Sequence, residues 1–143
     1  MIPSPPTQQP LVDKNGAATL MWMLFFNGIF EGDAGEDWTP TFANLTEVGG
    51  AATKSGRIYQ INQNLVYFTA TITPVTNTSS TAGTTYINNF PLTLAADAAC
   101  LAVAGNVGLG AAGHIVASNN RIYTPAWATI TTPVTVIGLA AAR

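Results

Sequence analysis

Charge is what this sequence has least of. Lys, Arg, Asp and Glu together make up 8% of its 143 residues, against about 25% in an ordinary soluble domain. Between Arg57 and Asp97 there is no charged side chain at all. With a net charge of −2 and no basic run, the chain cannot neutralise a row of phosphates, so no nucleic-acid partner is expected. The single cysteine, Cys100, excludes an intrachain disulfide. Set in the apolar run "LAADAACLAVAG", it reads as a small buried hydrophobe, with no local base to turn it into a nucleophile. The single histidine, His114, opens the strand-like run "HIVAS" and reads as structural. One His and one Cys give neither the count nor the spacing of a metal site, so no metal and no cofactor are expected. "GNVGLGAAG" is rich in glycine but is not followed by Lys-Ser/Thr, which argues against a phosphate cradle. "EGDAGED" lacks the ligand order and distal Glu of a calcium loop and reads as solvated. Beyond residue 38 the acids are Glu47 and Asp97, too few for a convincing glycosidase pair. No catalytic residue is assigned, and the chain is not expected to be an enzyme.

What is present divides into two textures. Residues 1–12, "MIPSPPTQQPLV", hold four prolines and favour an extended arm. A turn signal, "VDKNG", leads into the apolar stretch "AATLMWMLFFNGIF", Ala17 to Phe30. Its composition suits a helix. Fourteen residues would reach only about 21 Å, short of a ~30 Å hydrocarbon core, so no membrane span is expected. An export signal is also disfavoured, because the preceding residues are rich in proline and no cleavage pattern follows. The large apolar side chains cover most of the helix circumference, and such a helix wants cover on all sides. Burial between chains is therefore the preferred reading, with Trp22, Phe25, Phe26, Ile29 and Phe30 as the interface with other subunits. The run Glu31 to Pro40 carries four of the seven acids and reads as an exposed loop. It separates an arm-and-helix unit, residues 1–37, from a β body, residues 38–143.

In the body, "GRIYQINQNLVYFTATIT" is the clearest element. Val66, Phe68, Ala70 and Ile72 alternate with Tyr67, Thr69, Thr71 and Thr73, the period of a half-buried strand in a hairpin. Further short strands are expected in "TTYINNF", "HIVAS", "RIYT" and "ITTPVTVIGLA", with a second hairpin turn at Asn119-Asn120. "PVTNTSSTAG" reads as a loop, and "LAADAACLAVAGNVGLGAAG" as strand plus loop in preference to helix. The fold class expected is mainly β: an antiparallel β-sandwich or jelly roll preceded by a proline-rich arm and one short apolar helix. Tyr86, Tyr123 and Trp127 are candidates for stacking on sugars, though packing is the stronger reading for each.

"PLVDKNGAATLMWMLFFNGIF" resembles the N-terminal region of many tailed-bacteriophage virion proteins. "WTPTFANLTEVGGAATKSGRIYQINQNLVYFTATIT" resembles phage tail-fibre and related structural domains, with a Trp-x-Pro start and a Gly-Arg-x-Tyr hairpin. "TSSTAGTTYINNFPLTLAA" and "SNNRIYTP" are similar to segments later in those domains. The resemblance implies a homo-oligomer, usually a trimer, made in the bacterial host cytoplasm and located in the phage particle, in contact with other tail or capsid proteins. Without an extended shaft, the chain fits a short tail fibre or tail-attachment component. The alternatives are a capsid decoration (cement or head-fibre) protein and a module that binds a host-surface receptor or glycan.

Overall fold

The structure is a computed structural model that describes residues 35–105 and 107–143, together with Pro10 and Lys14. The expected helix over Ala17–Phe30, and with it Trp22, Phe25, Phe26, Ile29 and Phe30, lies outside the described residues. Among the described residues the fold is mainly β, and the one helical element is a 3-10 turn at Ala117–Asn119.

The chain enters through β1 (Glu36–Trp38), β2 (Phe42–Ala43) and β3 (Thr46–Val48). β1 begins inside the acidic run read as a loop, pairing Glu36 with Ile58 and Trp38 with Gly56. Asn44 sits at φ 59 between β2 and β3, a left-handed conformation that asparagine tolerates. Its side chain donates to the Thr84 carbonyl at 3.1 Å, and its carbonyl accepts from the Thr85 hydroxyl at 3.0 Å.

The long hairpin follows: β4 (Thr53–Asn62) and β5 (Leu65–Thr73). Its turn is Gln63-Asn64, braced by Asn62 Oδ1 accepting from the Asn64 N–H at 2.9 Å. The alternation in β5 holds as expected: Val66, Phe68, Ala70 and Ile72 are buried, and Tyr67, Thr69 and Thr71 are half-buried on the other face.

β6 (Asn77–Ser80) corrects the expectation of a loop over Pro74–Gly83. Its composition is polar, yet Thr78 and Ser80 are buried. Burying a hydroxyl is tolerable once it is hydrogen-bonded. The Thr78 hydroxyl accepts from the Trp127 indole N–H at 3.3 Å, and Ser80 donates to the Pro125 carbonyl at 2.8 Å.

The remaining elements are β7 (Tyr86–Ile87), β8 (Ala98–Ala104), β9 (Val107–Gly108), β10 (Gly113–Val116), β11 (Arg121–Tyr123), β12 (Trp127–Ile130) and β13 (Val134–Ala141). The glycine-rich run from Leu94 is thus strand and loop, as its glycines suggested. β10 and β11 form the second hairpin, turning at Asn120 with φ 55.

Two antiparallel sheets result. The larger follows the order β1-β4-β5-β13-β8-β10-β11-β7-β2, with β9 added on β8, and the smaller is β12-β6-β3. β1 and β2 are the opposite ends of the large sheet, yet only residues 39–41 separate them in the chain. Four residue steps span at most about 14 Å. The sheet therefore curls until its edges nearly meet. Asn89 clamps the junction, donating to the Thr39 carbonyl at 2.8 Å and accepting from the Thr41 N–H at 2.7 Å.

The core fills the concave face. Phe68 and Phe90 meet edge to face at 5.4 Å, and Phe90 meets Trp38 at 5.6 Å, a geometry that aromatic quadrupoles favour. Around them lie Ile72, Ile87, Leu94, Ile115, Ile122, Val134 and Val136, all fully buried. Trp38 covers Gly56 so closely that a Cβ there would lie 2.6 Å from its Cε2. Glycine is what lets the indole lie flat on the edge of the sheet.

Candidate binding surface

The outer, convex face of the large sheet has a different character. In β13 and β8 the residues facing away from the core are, Thr135 apart, apolar too. Leu139 and Leu101 are 51% and 54% exposed, and Ile61 at the end of β4 is 48% exposed. The register explains how they meet: Leu139 lies opposite Tyr67, and Ile137 opposite both Thr69 and Leu101. Ile61, Tyr67, Ala99, Leu101, Ile137 and Leu139 line one open groove of about 510 Å³. That volume is in the range of small-ligand pockets, and no charged side chain lines it. Large apolar side chains left this exposed, side by side on neighbouring strands, are unusual for a free surface.

The floor of the groove is Gly138 and Cys100. Cys100 is buried, its thiol donates to the Tyr123 carbonyl at 3.4 Å, and burial pushes its pKa up to about 12. The thiolate is the reactive form, so this thiol is inert at neutral pH and behaves as the packing residue expected.

Two tyrosine pairs flank the groove. On one side Tyr59 and Tyr67 lie 5.8 Å apart, with the Arg57 guanidinium 5.7 Å from the Tyr59 ring centre. On the other, Tyr86 and Tyr123 lie 5.3 Å apart, with Arg121 at 4.2 Å over Tyr86. Guanidinium and ring attract through the ring quadrupole. The Tyr123 hydroxyl accepts from Asn119 at 3.2 Å and from Arg121 at 3.5 Å. The Arg121 hydrogen bond foremost lowers its pKa. His114 is exposed and stands opposite Tyr123 across the ladder. Of the three residues considered for sugar stacking, Tyr86 and Tyr123 are thus together on the outer face. Trp127 is not with them: it is buried against Thr78.

The two acids of the body serve the fold. Asp97 accepts from the Ala117 N–H at 2.8 Å. Glu47 pairs with Lys54 and accepts from the Ala52 N–H at 2.9 Å. Burial by itself raises the Glu47 pKa, but the hydrogen bond from Lys54, then that from Ala52, outweigh it and hold the carboxyl below its ordinary value of 4.5. A carboxyl whose pKa is depressed by folding stabilises above its unfolded pKa, and that contribution is lost as pH falls through the folded one. Urea melts between pH 6 and 3 should therefore show a loss of stability below about pH 4.5, and Glu47→Gln should flatten that slope. An unchanged slope would mean the ion pair contributes nothing.

Among the described residues no group of three or more His, Cys, Asp or Glu side chains is placed to hold a metal, and no helix is long and apolar enough to cross a membrane. The groove was missed by sequence reasoning because its members come from strands far apart in the chain. One signal was available: "CLAVA" and "VIGLAA" are apolar on both faces, the pattern of strands covered on both sides. Comparison with known protein families, curated proteins and solved structures finds no match.

Proposed function

We propose that the chain is a non-enzymatic structural component of a bacteriophage particle, a short tail-fibre or tail-attachment protein that works by assembly. In this reading residues 38–143 are a sandwich or jelly-roll body. The residues ahead of β1 are an arm and helix that join subunits, most simply three, through Trp22, Phe25, Phe26, Ile29 and Phe30. The observation that carries it is the exposed apolar band of Ile61, Leu101 and Leu139 on a chain with 8% charge. Low charge and exposed apolar area disfavour a free monomer and suit a protein that spends its life in an assembly. The sequence resemblance to virion proteins supplies the setting.

The test is incorporation into particles. A tagged full-length chain should be found by labelled electron microscopy at the tail, whereas label over the shell would favour the decoration alternative. Phe25→Ser with Phe26→Ser should remove the label while the purified protein keeps its β-type circular dichroism. Occupancy equal to that of the unsubstituted chain would contradict the reading.

A second reading, binding to a host-surface glycan, is favoured by the Tyr86–Tyr123 pair with Arg121 over it. The two rings, tilted at 50° to each other beside a guanidinium, offer apolar faces to a sugar. In that case Tyr86→Ala should abolish retention on a glycan array without altering incorporation.

A further inference from the structure

We propose that the apolar groove on the outer face is covered by the chain's own segment Ala17–Phe30, folded back onto its own body. The described body starts at Gly35, whose missing Cβ would lie 3.0 Å from ring carbons of Tyr59. Tyr59 touches Tyr67, and Tyr67 lines the groove. The chain therefore leaves the body at the groove's rim.

Its direction there is informative as well. β1 runs antiparallel to β4, with Trp38 opposite Gly56 and Glu36 opposite Ile58. Traced towards the N-terminus, the chain heads along β4 towards Ile61, itself a groove residue. From Gly35 to Phe30 is five residue steps, a reach of at most about 18 Å. An occupant on so short a tether competes at an effective concentration on the order of millimolar, well ahead of a separate partner of equal affinity.

The chemistry matches. Ala17–Phe30 contains no charged residue, and none lines the groove. β8 and the Val136–Ala141 part of β13 are apolar on both faces and need a second layer. This segment, with Trp22, Phe25, Phe26 and Phe30 among its large apolar side chains, supplies one. The proposal rests on the assembly reading only in sharing its apolar segment. A helix apolar all round has one side for its own body and other sides for sister subunits.

Cysteine pairs in the full-length chain provide the test. Leu101→Cys is combined in turn with Trp22→Cys, Phe25→Cys, Phe26→Cys and Phe30→Cys. Isotope-labelled and unlabelled chains are then mixed before treatment with a short bismaleimide. The native Cys100 thiol is buried and stays silent. Val75→Cys, exposed and away from the groove, is the reference position. At least one Leu101 pair should cross-link several-fold more than its Val75 counterpart, with both peptides from the same isotopic chain. Cross-links only between labelled and unlabelled chains, or none above the reference, would overturn the proposal. On the unsubstituted chain, intrachain nuclear Overhauser contacts from the Leu101 and Leu139 methyls to the rings of Trp22–Phe30 should appear, and their absence would count equally against it. Mass in solution separates the two ideas. A monomer with intrachain links keeps the docking and removes the assembly, and an oligomer without them does the reverse.

Discussion

Phe68→Ala should lower stability by about 3–5 kcal/mol, among the larger costs known for a single core truncation. The ring is completely buried, and it meets Phe90 edge to face at 5.4 Å. It also presses on Gly138 of the next strand, where a Cβ would lie 2.8 Å from its Cε1. Removing it opens a cavity at the point where β4, β5 and β13 share their packing, and the surrounding ladder leaves little room to collapse. Thr71→Ala is the matched comparison on the opposite face of the same strand. That residue loses one hydroxyl contact, to Thr135 at 3.0 Å, a change worth about 1 kcal/mol. Urea unfolding of both variants reads the difference directly. Equal, small effects would mean that the two faces of β5 have been assigned the wrong way round.

Gly113→Ala should be among the most damaging single methyls in the body. Its Cβ would stand 2.2 Å from the Tyr123 carbonyl oxygen, 2.7 Å from the Cys100 sulfur and 2.8 Å from Pro125. The first of these is backbone in the paired strand β11, so it cannot rotate away. Overpacking typically costs about 1–3 kcal/mol and occasionally more, and a clash with backbone belongs at the upper end. Gly108→Ala supplies the control, since nothing lies within 4 Å of the added methyl. Its change should stay within about 0.5 kcal/mol, as for ordinary surface substitutions. Thermal melts of the two variants should differ by several degrees. Coincident melts would mean that β10 and β11 approach less closely than described.

The β character and the principal hairpin were legible because their signals are local. Alternation in Leu65–Thr73 follows from a period of two, and Asn119-Asn120 carries its turn in its own composition. The strand at Asn77–Ser80 was not legible for a physical reason. Thr78 and Ser80 are buried through hydroxyl bonds to Trp127, Thr124 and Pro125, which lie some 45 residues away in the chain. A polar composition reads as a loop unless those partners are known. β1 was hidden in the same way, because pairing to β4 overrides its acidic composition.

The outer groove was half legible. That the two strands are apolar on both faces could be read from Ala98–Ala104 and Val136–Ala141. Their meeting with Tyr67 and Ile61 needed the long-range register between β5, β13 and β8. The interface assigned to Trp22, Phe25, Phe26, Ile29 and Phe30 was read from composition alone and lies outside the described residues.

Light scattering on the full-length protein over a hundredfold range of concentration tests most directly whether this chain works by assembly. Burial of the segment Ala17–Phe30 between subunits predicts a stable species of about three times the 14.9 kDa chain mass. Phe25→Ser with Phe26→Ser should reduce it to the single-chain mass while the β-sheet spectrum is retained. A soluble species at 14.9 kDa throughout, with no tendency to associate, would contradict the assembly reading.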